Sequence, residues 1–94
     1  MTVMFSVLDP DEIMEKLVEV MGKESLTPCI DKYKAVGARK NPDREEFSYK
    51  VNLEMVNEDI TCIRFQKKEG DKIDFLQMFK QLNEDLLMMD AIIE

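Results

Sequence analysis

The sequence contains no histidine and no tryptophan, and only three of its 94 residues are glycine. Because histidine is the commonest general acid or base near neutral pH, its absence removes the usual starting point for catalysis. The glycines, at positions 22, 37 and 70, provide no glycine-rich loop of the kind that cradles phosphate. We therefore expect a non-catalytic domain without a cofactor.

Cysteine is also scarce. Cys29 and Cys62 form no Cys-x-x-Cys motif, and without histidine there is no ligand set for a zinc or redox site. We expect both to be free thiols in a reducing compartment. The carboxylates of Asp9, Asp11 and Glu12 stand where helix capping explains them, so we expect no metal there either.

Long apolar runs are missing, and no basic start precedes an apolar stretch, so we expect neither a membrane span nor a signal peptide. Hydrophobic residues make up 45% of the chain and charged residues 35%, which is typical of a folded globular protein. The length suits one domain over residues 1–94.

The formal net charge is −7, which disfavours nucleic acid and anionic lipid as partners. We expect no nucleic-acid partner. The two ends of the chain are acidic, however, and the basic residues lie in the middle. They form two groups, Lys32, Lys34, Arg39, Lys40, Arg44 and Lys50, then Arg64, Lys67, Lys68 and Lys72. If both groups lie on one sheet surface, they make a basic face on an acidic protein.

Local patterns predict a strand at residues 3–8 and a helix after it, with Asp9 as N-cap and Pro10 at the first helical position. Alternating apolar residues predict a half-buried strand over 47–55, and residues 60–66 predict its antiparallel hairpin partner. Residues 37–44 are predicted as a polar turn region, and the sheet is predicted to end at residues 68–71.

A long final helix is predicted after Asp71, a second candidate N-cap. Its apolar stripe is expected to contain Phe75, Phe79, Leu82, Leu86 and Met89, widened by Leu76, Leu87 and Ile93. The apolar tail with Met88-Met89, followed by Ile92 and Ile93, is a candidate contact surface. The fold class predicted from this order is α+β, with a four- or five-stranded antiparallel sheet and two helices packed on one face.

Several segments taken together resemble the kinase-associated 1 domain, a small module at the C-terminus of many serine/threonine protein kinases. The matching segments are Phe5-Ser6, Asp9-Pro10, the strand 49–55, Ile63-Arg64-Phe65 and the motif Gly70-Asp71-Lys72-Ile73-Asp74-Phe75. Their order and spacing agree over nearly the whole chain. The strand and the Gly-Asp motif look most similar to the checkpoint-kinase branch of the family.

The resemblance implies a regulatory domain that docks on the catalytic domain of its own kinase and holds it inactive until phosphorylation elsewhere releases it. It also implies a role in cell-cycle checkpoints and the DNA damage response, in the nucleus and the cytoplasm. Two segments of that branch are linked to this control, one in the first strand and one at the start of the last helix. Val3, Leu76 and Gln77 stand where the family usually has basic residues.

Two hypotheses follow. The first is an autoinhibitory module that binds its own kinase domain through the sheet and the start of the final helix. The second is a membrane-targeting module whose basic sheet face binds anionic phospholipid headgroups. The candidate partner-binding residues are Phe5, Arg64, Lys67, Lys68, Gly70, Asp71 and Lys72.

Overall fold

A computed structural model describes residues 2–22, 26–28 and 33–93 of the chain. The fold is α+β, as the sequence predicts, with five strands and two helices in the described residues. The elements follow in the order β1 (Thr2–Ser6), α1 (Pro10–Met21), β2 (Leu26–Pro28), β3 (Lys34–Arg39), β4 (Phe47–Met55), β5 (Thr61–Glu69) and α2 (Lys72–Met88).

The strands form one antiparallel sheet in the order β1-β5-β4-β3-β2. The predicted hairpin of β4 and β5 is confirmed, and its turn is held by Asn57, whose Oδ1 accepts hydrogen bonds from the amides of Asp59 (2.8 Å) and Ile60 (3.0 Å). Two boundary predictions are wrong. Residues 37–39 belong to β3 and not to a turn, and β5 continues to Glu69 because that residue still pairs with Ser48.

Both helices cover the same face of the sheet. Along β4 the side chains alternate between buried and partly exposed, because successive residues of a strand point to opposite faces. The opposite face of the described sheet carries no helix. The core combines Phe47, Tyr49, Val51 and Leu53 of β4, Ile63 and Phe65 of β5, Ile13, Leu17 and Met21 of α1, and Phe75, Met78, Leu82 and Leu86 of α2.

The start of α1 agrees with its sequence signals. Asp9 is the N-cap, its carboxylate accepts a hydrogen bond from the Asp11 amide at 3.4 Å, and Pro10 is the first helical residue. Gly22 follows the helix with φ +83°, a conformation that L side chains rarely adopt. Local capping by Asp9 and Gly22 therefore defines the two ends of α1.

Tyr49 lies at the centre of the core with no exposed surface. Its hydroxyl donates a hydrogen bond to Met21 Sδ at 4.0 Å, which joins the central strand to the end of α1. Burial raises the pKa of Tyr49 to about 12, partly offset by the charge of Arg39. The phenol is thus neutral at physiological pH, as a core position requires.

The apolar stripe of α2 is rotated slightly from the predicted one. Phe75, Leu82 and Leu86 are buried as expected, but Met78 takes a core position while Phe79 is half-buried. Phe79 packs edge-to-face on Phe65, with ring centroids 5.4 Å apart. The predicted burial of Leu76 and Ile93 is wrong, since both are exposed on the surface.

The C-terminal tail folds back onto β1. The Ser6 hydroxyl donates to the Ala91 carbonyl at 2.5 Å, and the Ile93 amide donates to the Phe5 carbonyl at 2.7 Å. Ala91 is buried and Ile92 packs against the core. Of the predicted contact surface at the tail, Met88 and Ile93 remain accessible, with exposures of 86% and 44%.

Replacing Phe75 with alanine should destabilise the domain by about 3–5 kcal/mol, because the ring is 5% exposed and its loss leaves a cavity in the core. The matched control is Ile73→Ala on the same turn, where the side chain is 63% exposed and the change should stay within about 1 kcal/mol. Urea unfolding followed by circular dichroism measures both. Equal losses in the two variants would contradict this packing of α2.

Candidate functional site

The candidate partner-binding residues divide between two places in the fold. Phe5 and Arg64 lie on the open face of the sheet, opposite Cys62 and Asn52 respectively, and Phe5 is 42% exposed. Lys67, Gly70, Asp71 and Lys72 lie where β5 leads into α2. Lys68 is the extra residue of a bulge, since Lys67 pairs with Tyr49 and Glu69 pairs with Ser48. The structure thus separates Phe5 from the motif at the start of α2.

Gly70 has a structural role at this junction. Its φ is +101°, and a Cβ built there would lie 2.5 Å from Phe47 Cα and would overlap Phe47 Cβ. Only glycine fits so close to the backbone of β4 in this conformation. The tight turn that directs β5 into α2 therefore depends on the missing side chain.

Asp71 is the N-cap of α2, as predicted. One carboxylate oxygen, Oδ1, accepts hydrogen bonds from the amides of Ile73 (2.7 Å) and Asp74 (3.2 Å). The same oxygen lies 3.6 Å from the guanidinium of Arg44. The Asp71 carboxylate is thus already engaged by groups of its own chain.

Arg44 connects the loop before β4 to the first turn of α2. Its Nε donates to Asp74 Oδ2 at 3.1 Å, and the Asp74 side chain is 6% exposed. The hydrogen bond and the charge of Asp74, together with the charge of Asp71, raise the pKa of Arg44. No local sequence signal predicts this pair, because the two residues are thirty positions apart.

A cleft lies between the end of β5 and the first turns of α2, with a volume of about 370 Å³. We call it the β5–α2 cleft. The aromatic rings of Phe65 and Phe75 are buried beneath it, and Leu76 is 39% exposed at its side. Its lining residues are Thr2, Arg64, Phe65, Gln66, Lys67, Lys72, Phe75 and Leu76.

The β5–α2 cleft has a basic rim whose charges are largely unneutralised. Within the described part of the chain, neither Lys67 nor Lys72 has an acidic partner in an ion pair. Arg64 pairs with Glu54 at 3.3 Å, while its buried Nε has no hydrogen-bond partner. An apolar floor beneath free cationic side chains is suited to a ligand that is both apolar and anionic.

The two basic groups do not share one face of the sheet. Strand register places Lys34, Lys50 and Arg64 on the open face, whereas Lys67 lies opposite the buried Tyr49 and therefore on the helix-covered side. Because side chains alternate along a strand, Arg64 and Lys67, which are three residues apart in β5, point to opposite faces. Lys32, a member of the first basic group, lies outside the described residues.

The open face also carries exposed apolar residues, among them Val3, Phe5 and Val36. Cys62 lies on this face between Phe5 and Glu54 of the neighbouring strands and is a buried free thiol. Cys29, the other predicted free thiol, lies outside the described residues.

A second cavity, of about 470 Å³, lies on the other side of α2 and was not anticipated from the sequence. It is lined by Arg39, Asn41, Arg44, Ile73, Asp74, Gln77, Met78 and Gln81. Arg44 is neutralised there by Asp74, whereas Arg39 has no ion-pair partner among the described residues. One cation is thus left uncompensated in this cavity, fewer than the two lysines at the rim of the β5–α2 cleft.

In the ranges 2–22, 26–28 and 33–93, no three histidine, cysteine or carboxylate side chains lie close enough to hold a metal ion. No helix among these residues is long and apolar enough to cross a membrane. In comparisons with known proteins, no family model matches the chain and no curated protein shows significant similarity to it.

Replacing Gly70 with alanine should cost more than replacing Gly22 with alanine, although both glycines have positive φ. At Gly22 a Cβ would meet nothing within 4 Å, so only backbone strain of about 1–3 kcal/mol is expected. At Gly70 the overlap with Phe47 adds about 1–3 kcal/mol. Thermal unfolding of the two variants tests this order, and a Gly70→Ala domain as stable as Gly22→Ala would contradict the close approach.

Proposed function

We propose that this domain is a regulatory module of the kinase-associated 1 type, which binds the catalytic domain of its own serine/threonine kinase and inhibits it. The observed fold supports this proposal, since the resemblance implies an antiparallel sheet with two helices on one face. A non-catalytic role also agrees with a sequence that contains no histidine. A checkpoint role in the nucleus and the cytoplasm is part of the same proposal.

The observation that carries the proposal is the meeting of two distant segments at the β5–α2 cleft. The resemblance links regulation to the first strand and to the start of the last helix. Thr2 of β1 pairs with Phe65 of β5, and its hydroxyl donates to the Phe65 carbonyl at 2.9 Å. Thr2 thereby lines the same cleft as Lys72 and Phe75 of α2.

The functions of the motif residues can be divided on this basis. Gly70 and Asp71 form the turn and the cap that position α2, so we assign them to the fold. Lys67 and Lys72 lie at the rim of the cleft and form no intramolecular ion pair among the described residues. We therefore assign them to partner binding. Interface contacts of this kind combine an apolar pocket with a polar rim.

Titration of the separately expressed catalytic domain with this domain should lower kinase activity. Lys72→Glu should raise the half-inhibitory concentration at least about tenfold, which corresponds to a loss of about 1.4 kcal/mol of binding free energy. Thermal unfolding should stay nearly unchanged, because an acidic residue is favourable in the first turn of a helix.

Lys80→Glu is the matched control, since it makes the same charge change at an exposed position of α2 outside the cleft. It should leave inhibition unchanged. The proposal fails if saturating amounts of the wild-type domain neither change kinase activity nor form a complex. Loss of inhibition in strict proportion to loss of stability would place the regulatory contact elsewhere.

Binding to anionic phospholipid is the second candidate function, favoured by one specific feature of the open sheet face. Lys34, Lys50 and Arg64 lie there beside the exposed Val3 and Val36, so the face offers cations next to apolar side chains. Such surfaces attract anionic leaflets. The net charge of −7 opposes this attraction, and we rank it below the protein partner.

Sedimentation with phosphatidylserine vesicles tests the lipid candidate. We expect weak binding that falls steeply with salt, because exposed charges are screened over about 8 Å at physiological ionic strength. Strong salt-sensitive binding that is lost in a Lys34→Glu, Lys50→Glu double variant would reverse the ranking of the two functions.

A further inference from the structure

The residues that line the β5–α2 cleft indicate which kind of polypeptide it binds. We infer that its occupant is an acidic amphipathic segment of a protein partner, with an apolar side chain inserted into the cleft and carboxylates on either side of it. Only the identity of the partner as the kinase catalytic domain rests on the proposed function. The chemistry of the segment follows from the cleft itself.

The apolar part of the inference follows from the floor of the cleft. Phe65 and Phe75 are 1% and 5% exposed and belong to the core, so the floor of the cleft is formed before any partner binds. Leu76 adds an exposed apolar wall at 39% exposure. A concave site of this kind suits a single large apolar anchor, which is the usual centre of binding energy in an interface.

The acidic part follows from the rim. Lys67 and Lys72 flank the floor without an ion-pair partner among the described residues, and the nearby Asp71 carboxylate is engaged by helix amides and by Arg44. Carboxylates of the partner therefore meet uncompensated positive charge, which raises the association rate and selects the partner.

The surroundings of the cleft favour a polypeptide over a bilayer. Exposed Glu69 lies two residues from Lys67 in the chain, and it would repel anionic headgroups brought close to the junction. The cleft is also concave, so a side chain reaches its floor more readily than a flat lipid surface does. A narrow segment can contact the lysines while avoiding this carboxylate.

Two synthetic peptides of equal length test the inference on the intact domain by fluorescence anisotropy. Both carry the same central Leu-Phe anchor, flanked by glutamates in one peptide and by lysines in the other. The glutamate peptide should bind at least about tenfold more tightly than the lysine peptide at low salt. Equal affinities, or no binding of either peptide, would overturn the inference.

Three variants separate the two halves of the site. Lys67→Glu combined with Lys72→Glu should weaken the glutamate peptide at least about tenfold, and Leu76→Ala should weaken both peptides. The Lys80→Glu control should bind as the wild-type domain does. Thermal unfolding of each variant shows whether a loss of binding reflects a loss of folded protein.

Phosphatidylserine vesicles form the last arm of the experiment. If the vesicles compete for the glutamate peptide and their binding is lost in the same lysine variant, the cleft is a lipid site and the inference is wrong. If the glutamate peptide binds as expected but the domain does not inhibit the kinase, the proposed function fails while the chemistry assigned to the cleft stands.

Discussion

The close approach of Gly70 to Phe47 is the contact on which the position of α2 depends. Because Gly70 has no side chain, the chain can leave β5 at φ +101° directly against the backbone of β4. Asp71 then caps the helix, and Arg44 ties the cap and Asp74 to the loop before β4. The start of α2, the end of β5 and the loop before β4 are thus joined at one point. The shape of the β5–α2 cleft follows from this junction, since its two walls are the strand and the helix that meet there.

Charge is distributed unevenly over a protein that is acidic overall. The carboxylates of Asp71 and Asp74 near the junction are used internally, by the cap of α2 and by Arg44, and this leaves Lys67 and Lys72 without an ion pair at the cleft. On the open face Arg64 is partly neutralised by Glu54. A local excess of positive charge beside an apolar floor gives the cleft a specificity that the net charge of −7 conceals.

Features that depend on local chemistry could be predicted from the sequence. The caps at Asp9 and Asp71 were found because short acidic side chains before an apolar stripe have a direct hydrogen-bonding role. The alternation along β4 identified the central strand, since one of its faces is buried. Such signals need only a few neighbouring residues.

Features that depend on pairing between distant segments could not be predicted. The bulge at Lys68 depends on the register of β5 on β4, which no local sequence signal indicates. Met78 occupies the core in place of the predicted Phe79, and this depends on how α2 is rotated against the sheet. The β5–α2 cleft has no sequence pattern at all, because it forms only where β1, β5 and α2 meet.

Methyl NMR of the domain in the presence of the catalytic domain tests the central claim most directly. Leu76 and Val36 are matched reporters, since they are 39% and 42% exposed and lie at the cleft and on the open sheet face respectively. Binding at the cleft should shift or broaden the methyl resonances of Leu76 and leave those of Val36 unchanged. Perturbation of Val36 with Leu76 unaffected would contradict the account and place the partner on the open face.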